Sequence, residues 1–370
     1  MFTVFRRLAF VLLLAPSSIV FADKIDEFAD NLIEKRHIPG LSLAIIKDGK
    51  VIKAAAYGVA NEGSGSVVTT NTLFQAGSIS KPVSALGALH LVNQNQLSLD
   101  EDVNVKLHSW KLPENDWTKS EKVTLRRILS HSAGLTVHGF PGYEVGRKVP
   151  SLVQVLDGAG AANTKPIRVD IEPGSKVRYS GGGYTLMQQL ILDVTGKDFA
   201  RYMDETVLKP LAMRDSTFEQ PLPADKSPRA ARGYYSKENP VKNGWHIYPE
   251  MAAAGLWTTP TDLACFAISI QKLFTGSAEH TLEPLVSRSL AREILTAQKE
   301  GVGLGLFLEG SGKNLRFKHG GRDEGFDALL VAYAEQGCGA ALMINSNDNT
   351  GALERMVEFV AREYAWPNYR

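Results

Sequence analysis

A serine and a lysine three residues apart are the strongest chemical signal in this chain. Ser78 and Lys81 lie in the segment Ala-Gly-Ser-Ile-Ser-Lys-Pro at residues 76–82. Positions i and i+3 of a helix share one face, so the Lys81 amine can reach the Ser78 hydroxyl. Pro82 is tolerated in the first turn of a helix but breaks its interior, which predicts a helix beginning near Ser78. The spacing therefore predicts a nucleophile beside a base.

The start of that helix would assist the same chemistry. Its first N–H groups have no partner within the helix and lie at the positive end of the dipole, so they would stabilise an oxyanion and disfavour the ammonium form of Lys81. The alternative for Ser78 alone is an N-cap serine followed by a solvated lysine. Ser269 and Lys272 share the spacing. Their apolar-periodic run over residues 262–274 predicts a mid-helix serine on the helix surface, without a catalytic role.

Two further motifs follow in the chain. Tyr179-Ser180-Gly181 comes after a Pro-Gly turn, and His319-Gly320-Gly321 lies near the C-terminal end. In order and spacing, the three motifs resemble the active-site elements of the penicillin-recognising serine hydrolases, which comprise class C β-lactamases, DD-peptidases, D-aminopeptidases and related esterases. The stretches at 129–135 and 254–263 resemble the same family, and the resemblance covers residues from about 30 to about 365.

The resemblance implies both a fold and a mechanism. The fold is the β-lactamase-like α+β arrangement, in which an antiparallel sheet built from both chain ends is flanked by helices and carries a large, mostly helical insert. In the mechanism, Ser78 attacks an ester or amide carbonyl and forms an acyl-enzyme, while Lys81 and Tyr179 share proton transfer. The N–H groups of Ser78 and Arg322 hold the oxyanion. No metal or organic cofactor is required.

Two positions depart from the pattern of the family. His319 stands where penicillin-binding members carry a lysine, and histidine is mostly neutral above its reference pKa of about 6.5, so substrates without a carboxylate are favoured. Gly181 replaces a frequent asparagine whose amide would grip the acyl side of a substrate. Lys318 alternates to the other face of its strand and does not replace the missing lysine. Gly320 and Gly321 are expected to let the strand backbone approach a bound acyl group.

The composition excludes several functional classes. The chain has 41 basic and 40 acidic residues and a formal net charge of +1, with no long run of either sign, so it lacks the electrostatic footprint of a nucleic-acid partner. The expected partner is a small-molecule or peptide substrate. At 44% hydrophobic residues the chain can bury a large core.

The N-terminus predicts export. Arg6 and Arg7 precede an apolar run, and small residues before Asp23 form a cleavage site after Ala22, so residues 1–22 read as a signal peptide and 23–370 as a single hydrolase domain. No later stretch is long enough for a membrane span, and no cysteine follows the apolar run to carry a lipid. The expected location is the periplasm or the medium.

The pattern of the mature chain predicts where the regular elements lie. A helix is expected over 26–36, and strands over 41–46 and 51–57 joined by an Asp-Gly hairpin turn. Helices dominate from Ser78 to about residue 298. Strands return over 303–309, 315–319, 327–334 and 339–345, and a helix over 351–365 closes the chain. Two cysteines are too few for a disulfide framework, so Cys265 and Cys338 are expected to be free or buried thiols.

The remaining histidines and aromatic residues carry weaker signals. His131, His138 and His246 show no metal-ligand spacing and are interpreted as structural, with His131 stabilising a turn. Three aromatic residues are candidates for either the cleft wall or plain packing, namely Tyr143, Tyr248 and Trp257.

The sequence leaves three functional interpretations open. The first is an exported serine hydrolase that favours small esters. The second is a D-amino-acid peptidase, a DD-carboxypeptidase or a weak class C-type β-lactamase. The third, from a different class, is a penicillin-binding-like sensor or scaffold that acylates once without turnover.

The identity of the nucleophile gives the first testable prediction. Ser78→Ala should abolish turnover and covalent labelling by a fluorophosphonate, because Ser78 has Lys81 at i+3 and the helix-end setting that Ser269 lacks. Ser269→Ala is the matched control and should change neither. Intact-mass labelling that persists in Ser78→Ala would show that the nucleophile is another residue.

Overall fold

We describe the fold from a computed structural model, which defines residues 23–276, 285–348 and 350–369. The predicted signal peptide, residues 1–22, lies outside the described residues. Some of the helices are long core elements, and the others are short connecting turns. Their bounds are α1 Lys24–Arg36, α2 Ser80–Asn93, α3 Val103–Lys106, α4 Leu125–Leu129, α5 Leu152–Asp157, α6 Gly181–Thr195, α7 Phe199–Met203, α8 Met251–Ala254, α9 Pro260–Thr275, α10 Arg288–Ile294 and α11 Ala352–Glu363.

The strands form one large antiparallel sheet and three two-stranded pairs. Their bounds are β1 Gly40–Lys47, β2 Lys50–Asn61, β3 Ser66–Val67, β4 Phe74–Gln75, β5 Tyr143–Glu144, β6 Tyr234–Ser236, β7 Asn239–Pro240, β8 His246–Ile247, β9 Trp257–Thr258, β10 Phe307–Glu309, β11 Arg316–Asp323, β12 Phe326–Tyr333 and β13 Gly339–Ile344. The large sheet has the order β10-β11-β12-β13-β1-β2-β3.

Both chain ends contribute to this sheet, as the sequence predicts. The C-terminal strand β13 pairs with the N-terminal strand β1 along its length, from Leu41 opposite Ile344 to Ile46 opposite Gly339. The predicted hairpin joins β1 to β2, and its turn residues Asp48 and Gly49 both have positive φ, at 50° and 68°, as an Asp-Gly hairpin turn requires. The α+β fold with a mostly helical insert is confirmed.

The sheet separates two hydrophobic cores. The smaller core packs α1 and α11 against one face, where alternate residues of β12 such as Leu329 and Val331 are buried. The larger core packs α2, α6 and α9 against the other face, which receives the intervening residues Ala328 and Leu330. Because successive side chains of a strand point to opposite faces of the sheet, every second side chain packs toward the helical insert that carries the candidate nucleophile.

One predicted strand begins later than expected. The run over 303–309 is extended only from Phe307, because Gly301 and Gly305 adopt positive φ of 78° and 98° and the preceding residues form a turn. The N–H of Gly305 donates to the carbonyl of Leu129 at 3.1 Å. This turn therefore packs on the helical insert before the chain enters the sheet.

The second Ser-x-x-Lys pair lies mid-helix, in α9, but its predicted surface position is wrong. Ser269 is 7% exposed and packs within the larger core, whereas Lys272 is exposed. The apolar periodicity of α9 is broad enough to bury the small hydroxyl. Cys265 and Cys338 are free, as expected. Among the described residues, no helix has the length and apolar character needed to cross a bilayer.

Candidate active site

Ser78 lies at the start of a helical segment. A single 3-10 turn, Gly77–Ile79, leads directly into α2. The N–H groups of Ile79 and Ser80 donate to the carbonyls of Ala76 and Gly77 and close this turn. The N–H of Ser78 thus belongs to the first N–H groups of the segment, which have no partner within the helix. The Ser78 side chain is half-buried and lines a cleft of about 480 Å³.

Lys81 lies directly behind the serine. Its amine donates to Ser78 Oγ at 2.9 Å and to the carbonyl of Ala253 at 2.8 Å. The residue is only 1% exposed, so its solvation comes from these two protein oxygens rather than from water. The contact that the i, i+3 spacing predicts is therefore present.

Two serines of α2 fix the turn that supplies the second acceptor. Ser84 Oγ donates to the carbonyl of Ala252 at 2.9 Å, and Ser80 Oγ accepts from the N–H of Leu256 at 3.0 Å. Together with Lys81, they connect one face of α2 to the backbone of residues 252–256. The Ala-Gly-Leu-Trp stretch at 254–257 directly follows the residue that accepts from Lys81 and is joined to α2 through the Leu256 N–H.

Tyr179 packs between two histidine rings beside this pair. The Lys81 amine is 4.9 Å from the centroid of the Tyr179 ring. The ring of His131 lies 4.2 Å away on one side and that of His138 lies 4.8 Å away on another. Because aromatic rings at these separations pack in van der Waals contact, they restrict the tyrosine to one orientation.

The two histidines differ in their roles. His131 is buried, and its Nδ1 accepts from the N–H of Ser180 at 3.2 Å, which holds the loop before α6 as the prediction of a turn-stabilising residue requires. Burial and the charge of Lys81 hold the pKa of His131 well below its usual range. His138 is exposed and lines the cleft. Its contact with Tyr179 and its place in the cleft wall were not predicted from the sequence.

The third motif brings β11 against the turn that carries the serine. A side chain at Gly321 would place its Cβ 1.9 Å from the carbonyl oxygen of Ala76, and one at Gly77 would place it 2.4 Å from the backbone nitrogen of Arg322. Only glycine permits this approach. We expected Gly321 to accommodate an acyl group; the structure shows that it accommodates Ala76. Gly320 does face the cleft, with nothing closer than 3.9 Å to a Cβ there.

His319 lies at the cleft wall and holds a buried acceptor. Its Nδ1 lies 2.6 Å from the carbonyl oxygen of Gly320, so Nδ1 carries the proton and Nε2 carries a lone pair. Among the described residues Nε2 has no hydrogen-bond partner. Burial, with a contribution from the charge of Lys81, lowers the pKa of His319 to about 3, which leaves the ring neutral. Lys318 pairs instead with Glu309 on the other side of the strand, as expected.

Gly181 is the first residue of α6, and its surroundings leave little room for the amide that the family often carries there. Its N–H donates to the carbonyl of His138 at 3.0 Å. A Cβ at this position would lie 3.0 Å from the ring of Phe140 and 3.1 Å from the His138 carbonyl oxygen. The Phe140 ring therefore occupies the space that a larger side chain at Gly181 would need.

Sequence reasoning missed a buried acid beneath the site. Asp323 is 3% exposed, and neither carboxyl oxygen makes a hydrogen bond of good geometry to a described residue. Burial raises its pKa well above the usual range, against the charge of Lys81 and the nearby Gly77 N–H and Tyr248 hydroxyl, which lower it. Strand alternation from His319 through Gly321 places Asp323 on the same face, and this signal could have identified it.

Glu250 is a second buried acid, one residue before α8. It is fully buried, and neither carboxyl oxygen has a partner of good geometry within the part of the chain that the structure describes. Burial raises the pKa of Glu250 to about 8, opposed only by its own backbone N–H. The sequence contains no signal for this burial, because a single glutamate between Pro249 and Met251 is typical of an exposed position.

The three aromatic candidates belong to the core. Trp257 and Tyr248 are completely buried and Tyr143 is 6% exposed. Trp257 contacts the rings of Trp245 and Phe326. The plain packing alternative is therefore correct for all three. The aromatic residue that lines the cleft beside Tyr179 is Phe307.

The fold and the site geometry agree with the proteins to which this chain is similar. A family model described as Beta-lactamase matches residues 23–364. The chain therefore belongs to the beta-lactamase family of serine hydrolases. It is 26% identical over 342 residues to Protein flp of Staphylococcus aureus (strain N315), an alignment that covers 88% of this chain and 63% of the relative. The chain thus spans less than two thirds of the length of that relative.

Solved structures share the fold at low sequence identity. A class C beta-lactamase is 21% identical with a TM-score of 0.73, and the match covers 94% of this chain and 96% of the other. The octameric penicillin-binding protein homologue from Pyrococcus abyssi is 24% identical with a TM-score of 0.72, covering 92% of this chain and 77% of the other. These matches establish the β-lactamase-like fold.

The arrangement predicts the effect of removing either proton-transfer group. Lys81→Ala and Tyr179→Phe should each lower the acylation rate by at least about 10²-fold, the lower range for a positioned acid or base. Tyr184→Phe is the matched control, because the Tyr184 ring lies 5.9 Å from the Lys81 amine but its hydroxyl donates to the Leu129 carbonyl. Stopped-flow acylation measures the rates. Wild-type rates in folded Lys81→Ala or Tyr179→Phe would place the base elsewhere.

Glu250 predicts a pH dependence of stability. The unfolded chain ionises this carboxyl near its usual pKa of 4.5, whereas the folded protein keeps the proton until about pH 8. The unfolded state therefore binds fewer protons between these values, and the free energy of unfolding falls as pH rises, by about 1.4 kcal/mol per pH unit for one group. Above about pH 8 this contribution is constant.

Thermal melts of Glu250→Gln across pH 5 to 8 test this effect. The variant should lose the share of the decline that Glu250 contributes. Glu335→Gln, at an exposed position, should keep the wild-type slope. Equal slopes in wild type and Glu250→Gln would show that Glu250 is ionised in the folded protein.

Proposed function

We propose that this chain is an exported serine hydrolase that cleaves small esters through a covalent acyl-enzyme. The observation that carries the proposal is the contact of 2.9 Å between the Lys81 amine and Ser78 Oγ at the wall of the cleft. A hydroxyl beside a buried amine, at the start of a helix, is the arrangement of an activated nucleophile.

The proposed reaction assigns each group a step. Ser78 Oγ attacks the carbonyl carbon of the ester, and its proton passes to the Lys81 amine, which then replaces the proton that Tyr179 gives to the leaving group. The carbonyl oxygen gains negative charge, which the N–H groups of Ser78 and Arg322 stabilise. Tyr179 then protonates the departing alkoxide or phenoxide. Water attacks the acyl-enzyme, returns a proton to Ser78 and releases the carboxylic acid.

Two features support esters over β-lactams and carboxylate-bearing peptides. A neutral His319 offers no positive charge to a substrate carboxylate. The Phe140 ring stands where an amide at position 181 would grip an acyl side chain. Short acyl esters depend on neither contact. The class C beta-lactamase among the similar structures shows the fold alone and does not decide between these substrates.

The cap of the first helix supports the export part of the proposal without bearing on the chemistry. Cleavage after Ala22 would leave Asp23 as the first residue. The Asp23 side chain accepts from the N–H groups of Ile25 and Asp26 and caps α1. A mature chain that starts at Asp23 would therefore keep its first helix fully capped.

Substrate preference is the experiment that tests the proposal. The mature chain, residues 23–370, should hydrolyse p-nitrophenyl butyrate with a kcat/KM well above that for nitrocefin. A charge-assisted hydrogen bond contributes about 1.5–3 kcal/mol, so loss of the cation alone lowers β-lactam turnover roughly 10- to 150-fold. His319→Lys should narrow the gap between the two substrates.

Three outcomes would contradict it. Nitrocefin turnover that matches ester turnover would favour a β-lactamase. Preferential cleavage of D-amino-acid peptides would favour a peptidase. A stoichiometric burst of p-nitrophenol without steady turnover would identify a protein that acylates only once.

A further inference from the structure

The carboxyl group of Asp323 lies where the two backbone segments of the oxyanion hole meet. In the proposed mechanism the oxyanion accepts from the N–H groups of Ser78 and Arg322. Gly77 directly precedes Ser78, and Asp323 directly follows Arg322. A Cβ at Gly77 would lie 2.4 Å from the nitrogen and 2.7 Å from the carbonyl carbon of Arg322. The Asp323 side chain therefore belongs to one segment and lies beside the other, with the Gly77 N–H nearby.

This carboxyl and the Gly77 N–H are complementary groups. Asp323 is 3% exposed, and neither of its oxygens has a partner of good geometry among the described residues. Gly77 is also buried, and within the part of the chain that the structure describes its N–H has no other acceptor at hydrogen-bond distance. A buried donor and a buried acceptor are each costly when unpaired, and a hydrogen bond between these two removes both costs.

The backbone on the other side of Asp323 is already anchored. The Asn347 amide donates to the carbonyl oxygen of Asp323 at 2.8 Å. The hydroxyl of Tyr248, a completely buried residue, accepts from the N–H of Glu324 at 3.0 Å. Because the end of β11 is held in this way, a hydrogen bond from Gly77 to the Asp323 side chain fixes the turn that carries the nucleophile against a rigid strand.

We propose that Asp323 is a positioning residue that accepts a hydrogen bond from the Gly77 N–H and thereby sets the separation of the Ser78 and Arg322 N–H groups when the oxyanion forms. This inference rests on the proposed function and adds a residue to its mechanism. Hydrogen bonds at active sites are often long in the free enzyme and tighten when the reacting species binds. An oxyanion that accepts from both segments draws Gly77 and Asp323 together.

The protonation of Asp323 suits this role. Burial raises the pKa of its carboxyl well above the usual range, although the charge of Lys81 lowers it. A neutral acid keeps an acceptor oxygen for the Gly77 N–H and adds no negative charge beneath a developing oxyanion. Asparagine has the same acceptor oxygen in nearly the same shape, so Asp323→Asn should preserve the interaction and Asp323→Leu should remove it.

A pair of esters that differ only in the carbonyl atom tests the inference. They are p-nitrophenyl butyrate and its thiono analogue, in which sulfur replaces the carbonyl oxygen, and each kcat/KM is divided by the hydroxide-catalysed rate of the same ester. Sulfur accepts hydrogen bonds weakly, so the ratio of the oxygen ester to the sulfur ester reports the geometry of the oxyanion hole. A merely structural role for Asp323 would lower both rates together and leave this ratio unchanged.

Asp323→Leu should lower kcat/KM for the oxygen ester about 10²-fold, the cost of a misplacement on the order of 1 Å, and should lower the ratio as well. Asp323→Asn should retain both. Asp262→Asn is the matched control, because Asp262 is another buried acid, accepts from Ser216 Oγ at 2.7 Å and does not line the cleft. It should leave the ratio unchanged, whatever its effect on the melting temperature. If Asp323→Leu does not fold, Asp323→Ala takes its place.

The outcomes distinguish the inference from the function beneath it. If the wild type hydrolyses the oxygen ester, an unchanged ratio in folded Asp323→Leu, or an Asp323→Asn variant that is equally impaired, would overturn the inference and leave the esterase proposal standing. If the wild type hydrolyses neither ester, the esterase proposal fails. The rate at which a fluorophosphonate labels Ser78 then tests the inference alone, because its phosphoryl oxygen accepts from the same N–H groups. Equal labelling rates in wild type and folded Asp323→Leu would overturn it.

Discussion

The buried amine of Lys81 is the interaction on which the site depends. It is shared between Ser78 Oγ and the carbonyl of Ala253, which lies 172 residues further along the chain. A lysine amine removed from water must find protein acceptors. The position of the Lys81 amine therefore depends on α8 as well as on α2, and the Ser80 and Ser84 hydroxyls of α2 bind the backbone on either side of Ala253.

A second constraint is the close approach of two backbones. The turn at Gly77 and the strand at Gly321 meet without side chains between them, so the nucleophile and the backbone of Arg322 keep a fixed separation. Hydrogen-bond donors in such a rigid setting need no rearrangement when charge develops on a substrate. Asp323 is buried next to this contact, with the Gly77 N–H nearby.

Local spacing predicted the parts of the site that lie within one element. The Ser78 and Lys81 contact follows from helical geometry, and the Asp48-Gly49 turn from its dipeptide. The two-ended sheet follows from strand-like runs at both termini. The sequence did not predict features that depend on tertiary packing. These are the carbonyl of Ala253 as a partner of Lys81, the burial of Glu250 and Ser269, and the position of His138 in the cleft wall. A local sequence pattern does not indicate which loop packs on which helix. A polar residue is therefore predicted to be exposed unless its tertiary neighbours are known.

The order of strands in the large sheet has a consequence for biosynthesis. Ser78 and Lys81 lie in the first quarter of the chain, but β11, which completes the cleft, and β13, which pairs with β1, are the last strands made. Contacts of such long sequence separation form late, because the loop between them must close first. A nascent chain thus contains its nucleophile before the strands that complete the cleft have been made.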